Sequence, residues 1–268
     1  MGGGSIILKS PAEFAKMREA GRVVARALDM AGKLAAPGVT TKALNTAVEE
    51  LIVKAGGIPT FKGYPASKRG IPDFPAAICA SVNEQVVHGI PDDRALREGD
   101  IISVDVGVHL DGWCGDAART FGVGQIGRKA KKLLEVTENS LYKAIQNAKP
   151  GKKLRDVSAA VQNEAEHNGF SVVRQFVGHG IGRDMHEPPQ IQNFVCRRGE
   201  RLDGDTPDLI LREGMALAIE PMVNIGSWEV LVDKSDGWAV YTKDRSLSAH
   251  FEHTVAVTAQ GPVILTEL

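Results

Sequence analysis

Cysteine is scarce in this chain, with three in 268 residues (Cys79, Cys114, Cys196) and no pair at CxxC spacing. That argues against a disulfide framework and against a thiolate zinc knuckle, and reduced thiols fit a cytoplasmic protein. Net charge is also nearly absent, at −1 from 32 basic and 33 acidic residues. Without a Lys/Arg stripe interleaved with aromatics, direct nucleic-acid recognition is not expected. Long apolar runs are missing: none approaches the roughly 18 residues of a membrane span, and the start has no basic segment followed by an apolar signal core, so no membrane partner is expected. The Gly-rich opening MGGGS, residues 1–5, reads as an expression remnant outside the fold, and Ile6 stands where a myristoylation motif needs Ser or Thr. No long exposed apolar stripe calls for an obligate dimer, and a monomer is expected.

What the chain does have is a plan used twice. In SPAEF, Ser10 can cap a helix, Pro11 suits its first position and Glu13 completes a capping box. Phe14, Met17, Val24 and Leu28 then recur at helical spacing until Pro37 and Gly38, and a second helix is predicted from about Thr41 to Ala55. Lys129 to Ala148, ended by Pro150 and Gly151, and Leu154 to His167 repeat that pair. The passages AAPGVTTKALNTAVEEL and NAKPGKKLRDVSAAVQNEA align, with Pro37 over Pro150, Leu44 over Val157 and Val48 over Val161.

Each helix pair leads into strand-rich sequence. IISVDVGVHLDGWCGDAARTFGVG reads as a hairpin, with alternating Ile102, Val104, Val106 and Val108 and a turn at Asp111–Gly112. MALAIEPMVNIG, WEVLVD, WAVYT and SAHFEHTVAVT read as an antiparallel meander. The expected class is α+β: a duplicated domain with helices packed on one side of a curved antiparallel sheet.

Four carboxylates stand where strands want apolar residues. Asp105 lies inside ISVDVGV, and Asp116 is an odd number of residues along across a two-residue turn, which puts both on one face of the hairpin. Glu220 in LAIEPMV and Glu252 in HFEHTVAV repeat the anomaly in the second half. Like charges side by side are costly unless a cation lies between them. With one imidazole added, the set suits divalent manganese, iron or cobalt better than a thiolate-bound zinc. Four acids exceed the charge of one divalent ion, whereas two ions roughly 3.5–4 Å apart would match them and supply a nucleophile at neutral pH. The segment GHGIGRDMHEPP, residues 178–189, holds His179 and His186 amid glycines and prolines with no clean helical or strand period.

At this point the sequence resembles the type I methionine aminopeptidases, the bacterial-length metallopeptidases of the pita-bread fold. ASVNEQVVHGIP (80–91), SVDVGVHLDGWCGDAARTF (103–121), GHGIGRDMHEPP, IEPM (219–222) and DGWAVYTKDRSLSAHFEHT (236–254) carry the likeness, in order and at plausible spacing. It implies a single catalytic pita-bread domain over residues 6–268, with pseudo-twofold half-repeats at about 10–122 and 123–268 and two pairs of helices on the outer face of the sheet. By resemblance, Asp105, Asp116, His179, Glu220 and Glu252 are the metal ligands. Asp116 and Glu252 would bridge two ions, Asp105 would serve one, and His179 with Glu220 the other. The glycines beside His179 would let its backbone approach the crowded cluster. His88 and His186 match the two non-ligand histidines that contact the scissile peptide, one stabilising developing negative charge and one assisting departure of the amine. Glu220 matches the group that shuttles a proton to the leaving amine, although metal coordination lowers its basicity.

The same likeness assigns a methionine pocket to Phe61, Tyr64, Phe74, Cys79, Met185 and Trp238, with Cys79 as a wall residue rather than a nucleophile. Asn83, Gln85 and Ser248 match positions that hold a monovalent cation in relatives. The chain departs from the pattern at residues 65–73, an insertion between Tyr64 and Phe74 that bears on the pocket rim and whose Lys68 and Arg69 read as solvated loop charge. NFVCRRGERLDGDTPD (193–208) reads as an expanded surface loop. The activity implied is removal of the initiator methionine from nascent polypeptides whose second residue is small, with transient ribosome association. Proline-directed peptidases of this fold carry a further N-terminal domain for which the chain has no room, and the type II enzymes carry a helical insertion for which its second half is too short. A non-enzymatic peptide- or ribosome-binding module on the same fold is the competing class; such relatives lose metal ligands, whereas all five positions are filled here.

Overall fold

The computed structural model describes residues 5–66, 68–195 and 209–268. Helix α1 (Pro11–Leu34) opens on the capping box: Glu13 N–H donates to Ser10 Oγ (3.3 Å) and Ser10 N–H donates to the Glu13 carboxylate (2.8 Å). Helix α2 (Thr41–Lys54) is capped by Thr40, whose hydroxyl accepts from Ala43 N–H at 3.1 Å. Helix α3 (Arg128–Asn147) begins at Gly127 with no side-chain cap, and α4 (Leu154–His167) begins where Lys153 N–H donates to Asp156. The residues aligned between the two passages play equal parts: Leu44 and Val48 are buried on α2, and Val157 and Val161 on α4.

Each helix pair covers its own core. In the first half, Leu28, Leu44, Val48 and Ile52 pack against Ile102, Val104, Val106 and Val108 of the strand Ile101–Leu110. In the second, Leu133, Leu141, Leu154 and Val161 pack against Leu217, Ile219, Val255 and Val257. With one face of the strand sealed by helices, its alternate residues, Asp105 and Gly107 among them, face the other way.

All strand pairings are antiparallel among the described residues. Ile101–Leu110 pairs with Trp113–Gly122 along its whole length, and Asp111 (φ 48°) and Gly112 (φ 80°) make the two-residue turn. It also pairs with Cys79–Val82 and Ile58–Pro59. In the second half, Ala216–Ile219 lies between His253–Thr258 and Gly178–Gly180, with Gly261–Ile264 and Glu187–Ile191 at the edges. Met222–Asn224 joins Ser248–His250 and Ser171–Val172, and Val240–Thr242 joins Val230–Val232 and, from the first half, Gln85–Val87.

This is not the expected meander. Among the described residues of the second half, the strands that pair with their neighbour in sequence are Gly178–Gly180 with Glu187–Ile191, Val230–Val232 with Val240–Thr242, and His253–Thr258 with Gly261–Ile264. Pro221 has no N–H to give to the ladder, so the predicted strand around Glu220 splits there and its two parts enter different sheets. GHGIGRDMHEPP, read as aperiodic, holds parts of two short strands. The halves are stitched together by Ala118 and Glu252, which exchange backbone hydrogen bonds at 2.9 and 3.4 Å. No helix among the described residues is long and apolar enough to cross a membrane.

Candidate metal centre

Strand geometry brings the first two acids together. Asp105 lies opposite Ala118, and Asp116 lies opposite Gly107, so the two carboxylates are diagonal neighbours on the face away from the helices. The other two are not within strands, as their apolar flanks suggested, but at a shared interruption. Ile219 faces His253 and Met222 faces His250, and this unchanged register sets Glu220 opposite Glu252 in the gap between. Because Glu252 also pairs with Ala118, the row Asp105, Ala118, Glu252, Glu220 crosses from one half to the other.

His179 completes the cluster from Gly178–Gly180. A Cβ on Gly178 would lie 2.4 Å from Ala218 O, and one on Gly180 2.2 Å from Pro188 O, so glycine is required for the close approach of neighbouring strands. His179 Nδ1 lies 2.9 Å from Gly180 O. A carbonyl only accepts, so Nδ1 carries the proton and Nε2 presents its lone pair, 3.7 Å from both Asp116 Oδ2 and Glu220 Oε1.

The cluster lacks positive charge. Burial pushes the Asp105 carboxyl up to about 7. Burial and then the neighbouring carboxylates push Asp116, Glu220 and Glu252 well above the usual range, while burial holds His179 down to about 3. Asp105 Oδ1, Asp116 Oδ1 and Glu252 Oε1 are buried without a hydrogen-bond partner. Donor atoms of Asp116, His179 and Glu252 lie within 4.8 Å of one another. Orphaned carboxylate oxygens around an unprotonated imidazole nitrogen fit a divalent metal.

His88 and His186 border this cluster. His88 sits in the left-handed region (φ 58°), an uncommon conformation for a residue with a side chain, and its ring packs edge-on to Phe176 (5.5 Å) and Trp238 (6.4 Å). Burial, then His186, holds His88 down to about 4. His186 lies at the mouth, its ring centroid 4.3 Å from that of His179 and its Nδ1 2.8 Å from the Tyr64 hydroxyl; the packing around it lowers its pKa. Both rings are therefore neutral at pH 7.

The predicted pocket residues converge. Phe61 packs edge-on to Phe74 (6.5 Å) and Phe74 to Trp238 (5.3 Å), with Cys79 and Tyr64 in the same apolar cluster. Met185 joins through Phe61 beside Gly107. Cys79 lies opposite Asp105, and burial, then that carboxylate, raises its thiol well above the ordinary value. The insertion does not carry Tyr64 away. Gly63 N–H donates to Phe74 O (2.8 Å) and Phe74 N–H to Tyr64 O (2.9 Å), which closes the loop at its base, and Trp238 Nε1 donates to Pro72 O (2.9 Å). Lys68 and Arg69 are exposed.

Asn83, Gln85 and Ser248 meet where the halves join: Ser248 N–H donates to Asn83 O (2.9 Å), and Gln85 holds Val82 N–H and the Tyr241 hydroxyl. The stretch 193–208 is not surface loop at its start, since Asn193 and Phe194 are buried and Asn193 Nδ2 donates to Glu220 O (3.0 Å); residues 196–208 lie outside the described residues. Sequence reasoning also missed His250. It is buried, with Nε2 3.8 Å from Glu220 and 3.9 Å from Glu252, and its place two residues before Glu252 was the available signal.

Comparison with known proteins agrees with this geometry over nearly the whole chain. The profile of Metallopeptidase family M24 matches residues 15–259. Methionine aminopeptidase 1 of Bacillus subtilis (strain 168) is 49% identical over 264 residues, covering 98% of this chain and 100% of that one. The crystal structure of methionine aminopeptidase from Rickettsia prowazekii superposes with a TM-score of 0.90 at 42% identity, covering 98% of this chain and 100% of the other. The corresponding structure from Thermotoga maritima gives 0.90 at 45% identity, again over 98% and 100%. The likeness thus extends across both halves of the chain, and the chain belongs to the metallopeptidases of family M24.

Proposed function

We propose that this protein is a metallo-aminopeptidase that releases the N-terminal methionine of nascent polypeptides whose second residue is small. The observation that carries the reading is the buried row of four carboxylates and one imidazole, with orphaned oxygens, opening onto an apolar and aromatic pocket. Asp105, Asp116, His179, Glu220 and Glu252 would hold two divalent ions; manganese, iron and cobalt suit this donor set. When bound, the ions supply Lewis acidity and a nucleophile at neutral pH.

The chain's own groups do the rest. Phe61, Phe74, Cys79, Met185 and Trp238 take the methionine side chain, and Tyr64 orients His186 through its hydroxyl. His88 and His186, neutral and able to donate, address the scissile amide: one stabilises charge developing on its oxygen and the other assists departure of the amine. Glu220 carries a proton toward that amine. Asn83, Gln85 and Ser248 hold a monovalent cation at the seam between half-repeats 10–122 and 123–268 of one catalytic domain. The enzyme works in the cytoplasm as a monomer that meets its substrate at the ribosome.

The test is release of methionine from Met-Ala-Ser and Met-Lys-Ser by metal-stripped protein, before and after adding manganese or cobalt. Metal-dependent cleavage of the first peptide only, lost in His88→Ala, is expected. Absence of cleavage by folded, metal-loaded protein would leave a peptide-binding module on this fold.

A further inference from the structure

Outside the carboxylate row, Lys9 and Glu187 are charged residues buried to 5% and 7% exposure, and they meet each other, with Nζ and Oε2 2.5 Å apart. Lys9 belongs to the segment just ahead of α1, whose course is fixed by Lys9 N–H donating to Gly214 O (2.7 Å). Its ammonium also donates to Ile7 O (3.0 Å). Glu187 immediately follows His186. Its side chain turns back into the turn that leads from His179 to His186, where Oε1 accepts from Arg183 N–H (2.9 Å) and Asp184 N–H (3.4 Å). The fit leaves no spare room, since a Cβ on Gly182 would lie 2.4 Å from Glu187 Oε1 and 2.5 Å from Lys9 Cε.

The start of the turn has its own anchors, for Ile181 N–H donates to Ala216 O and Gly182 O accepts from Cys114 N–H (2.7 Å). Along the arc from Arg183 to His186, the Arg183 guanidinium lies over the Trp113 ring (4.4 Å), Arg183 O faces Cys114 Sγ (3.5 Å) and Met185 is buried. The backbone N–H groups of Arg183 and Asp184 are held by the Glu187 carboxylate, which Lys9 neutralises. A buried ion pair returns little net stability against an apolar pair of the same volume, because desolvation offsets the attraction. Its value here lies in what it holds. His186 reaches the cluster across the mouth, and its ring is fixed on one side by Tyr64 and on the chain side by this turn.

We propose that the buried Lys9–Glu187 ion pair is a positioning device that holds the Gly182–Glu187 turn, and with it the His186 imidazole, in register over the carboxylate row. The inference rests on the proposed role of His186 and makes the segment before α1 part of the catalytic apparatus. A displacement of about 1 Å at a group addressing the scissile bond is enough to lower turnover about 100-fold.

The test uses the full-length, manganese-loaded protein with Met-Ala-Ser. Lys9→Met and Glu187→Gln are expected to lower kcat about 10- to 100-fold while KM changes less than about threefold, with recovery in Lys9→Arg. Manganese stoichiometry by titration calorimetry stays at the wild-type value, because no ligand is touched. In a His186→Ala background, Lys9→Met costs less than about threefold, since the group it acts through is gone. Wild-type kcat in Lys9→Met, or the same fold-loss with and without His186, overturns the proposal. Should Lys9→Met fail to fold, Glu187→Gln, which keeps an acceptor for Arg183 N–H, carries the same comparison. If wild-type protein releases no methionine, the functional reading fails separately. The ion pair is then judged by the His186 ring Cε1–H signal in NMR: displacement or splitting in Glu187→Gln supports it, and an unchanged signal sinks it.

Discussion

The two halves of the chain share their helices and differ in their sheets. α1 with α2 and α3 with α4 cover equivalent cores, down to Leu44 and Val48 answering to Val157 and Val161. Beneath them, the first half runs two unbroken ten-residue strands, whereas the second divides its pairing among strands of two to six residues. The acids follow the difference. Asp105 and Asp116 project from a continuous ladder, where the pleat alone fixes their side and a short arm suffices. Glu220 and Glu252 leave the ladder at a break and use a longer arm to reach the same row. Helix plans repeat because they need only an apolar stripe. The site is asymmetric because only the interrupted half can also admit an imbedded histidine strand, Gly178–Gly180, against Ala218 and Leu217.

The strongest way to break this comparison is to remove one carboxylate of the cluster from each half. Asp116→Asn and Glu252→Gln are each expected to lower kcat/KM about 1,000-fold or more, about 4 kcal/mol of transition-state stabilisation. Calorimetric titration with manganese should show weakened binding in both. If one variant kept nearly full activity, the halves would not contribute equally to the centre. Exchanging arm lengths sharpens the point: Asp105→Glu on the continuous strand and Glu220→Asp at the break should each cost about 100-fold, because either misplaces a carboxylate by about one methylene.

Next in size is an effect on stability in metal-stripped protein. Asp105 is raised to about 7 in the fold, against about 3.9 in an unfolded chain, so the folded state holds the extra proton between those values. Its contribution is fully present below about pH 4 and is lost as pH rises through about 7. Asp116, Glu220 and Glu252 shift in the same direction. The melting temperature of the stripped protein should fall over this window, less steeply in Asp105→Asn, and manganese added at pH 7 should reverse the fall. A flat profile would mean that the carboxylates relax apart without metal.

How far the sequence could be read follows the same division. The helices and the first hairpin were legible because capping residues, periodic apolar positions and an Asp–Gly turn are local signals. Asp105 and Asp116 were placed on one face by parity alone. The second sheet was misread because its partners are distant in sequence: Ala216–Ile219 pairs with His253–Thr258, and a strand from the first half pairs with Val240–Thr242. Pro221 was visible, but its consequence, a gap holding two glutamates face to face, depends on the far strand. That Tyr64 keeps its place despite the 65–73 insertion was not legible, because spacing cannot reveal that hydrogen bonds between residues 63, 64 and 74 close the loop. His250 and the Lys9–Glu187 pair were missed for a related reason, since a buried polar residue outside a recognised motif has no periodic signature.

The smallest effect tests whether the helices are as equivalent as they look. α1 carries a complete capping box, whereas α3 starts at Gly127, whose φ of −63° and ψ of 153° suit any residue and whose Cβ position is open space. Ser10→Ala should cost about 1 kcal/mol, since it leaves Glu13 N–H without its side-chain acceptor. Gly127→Ser should gain a few tenths of a kcal/mol, because glycine is already a tolerable N-cap and the new hydroxyl adds one acceptor for the first turn. Urea titrations with unchanged slopes would read both as shifts in midpoint. A gain at Gly127 as large as the loss at Ser10 would mean that α3 is held by less packing than its buried face suggests. No gain would mean that its first turn is already fixed by the sheet beneath it, so that the second half relies on packing where the first relies on its cap.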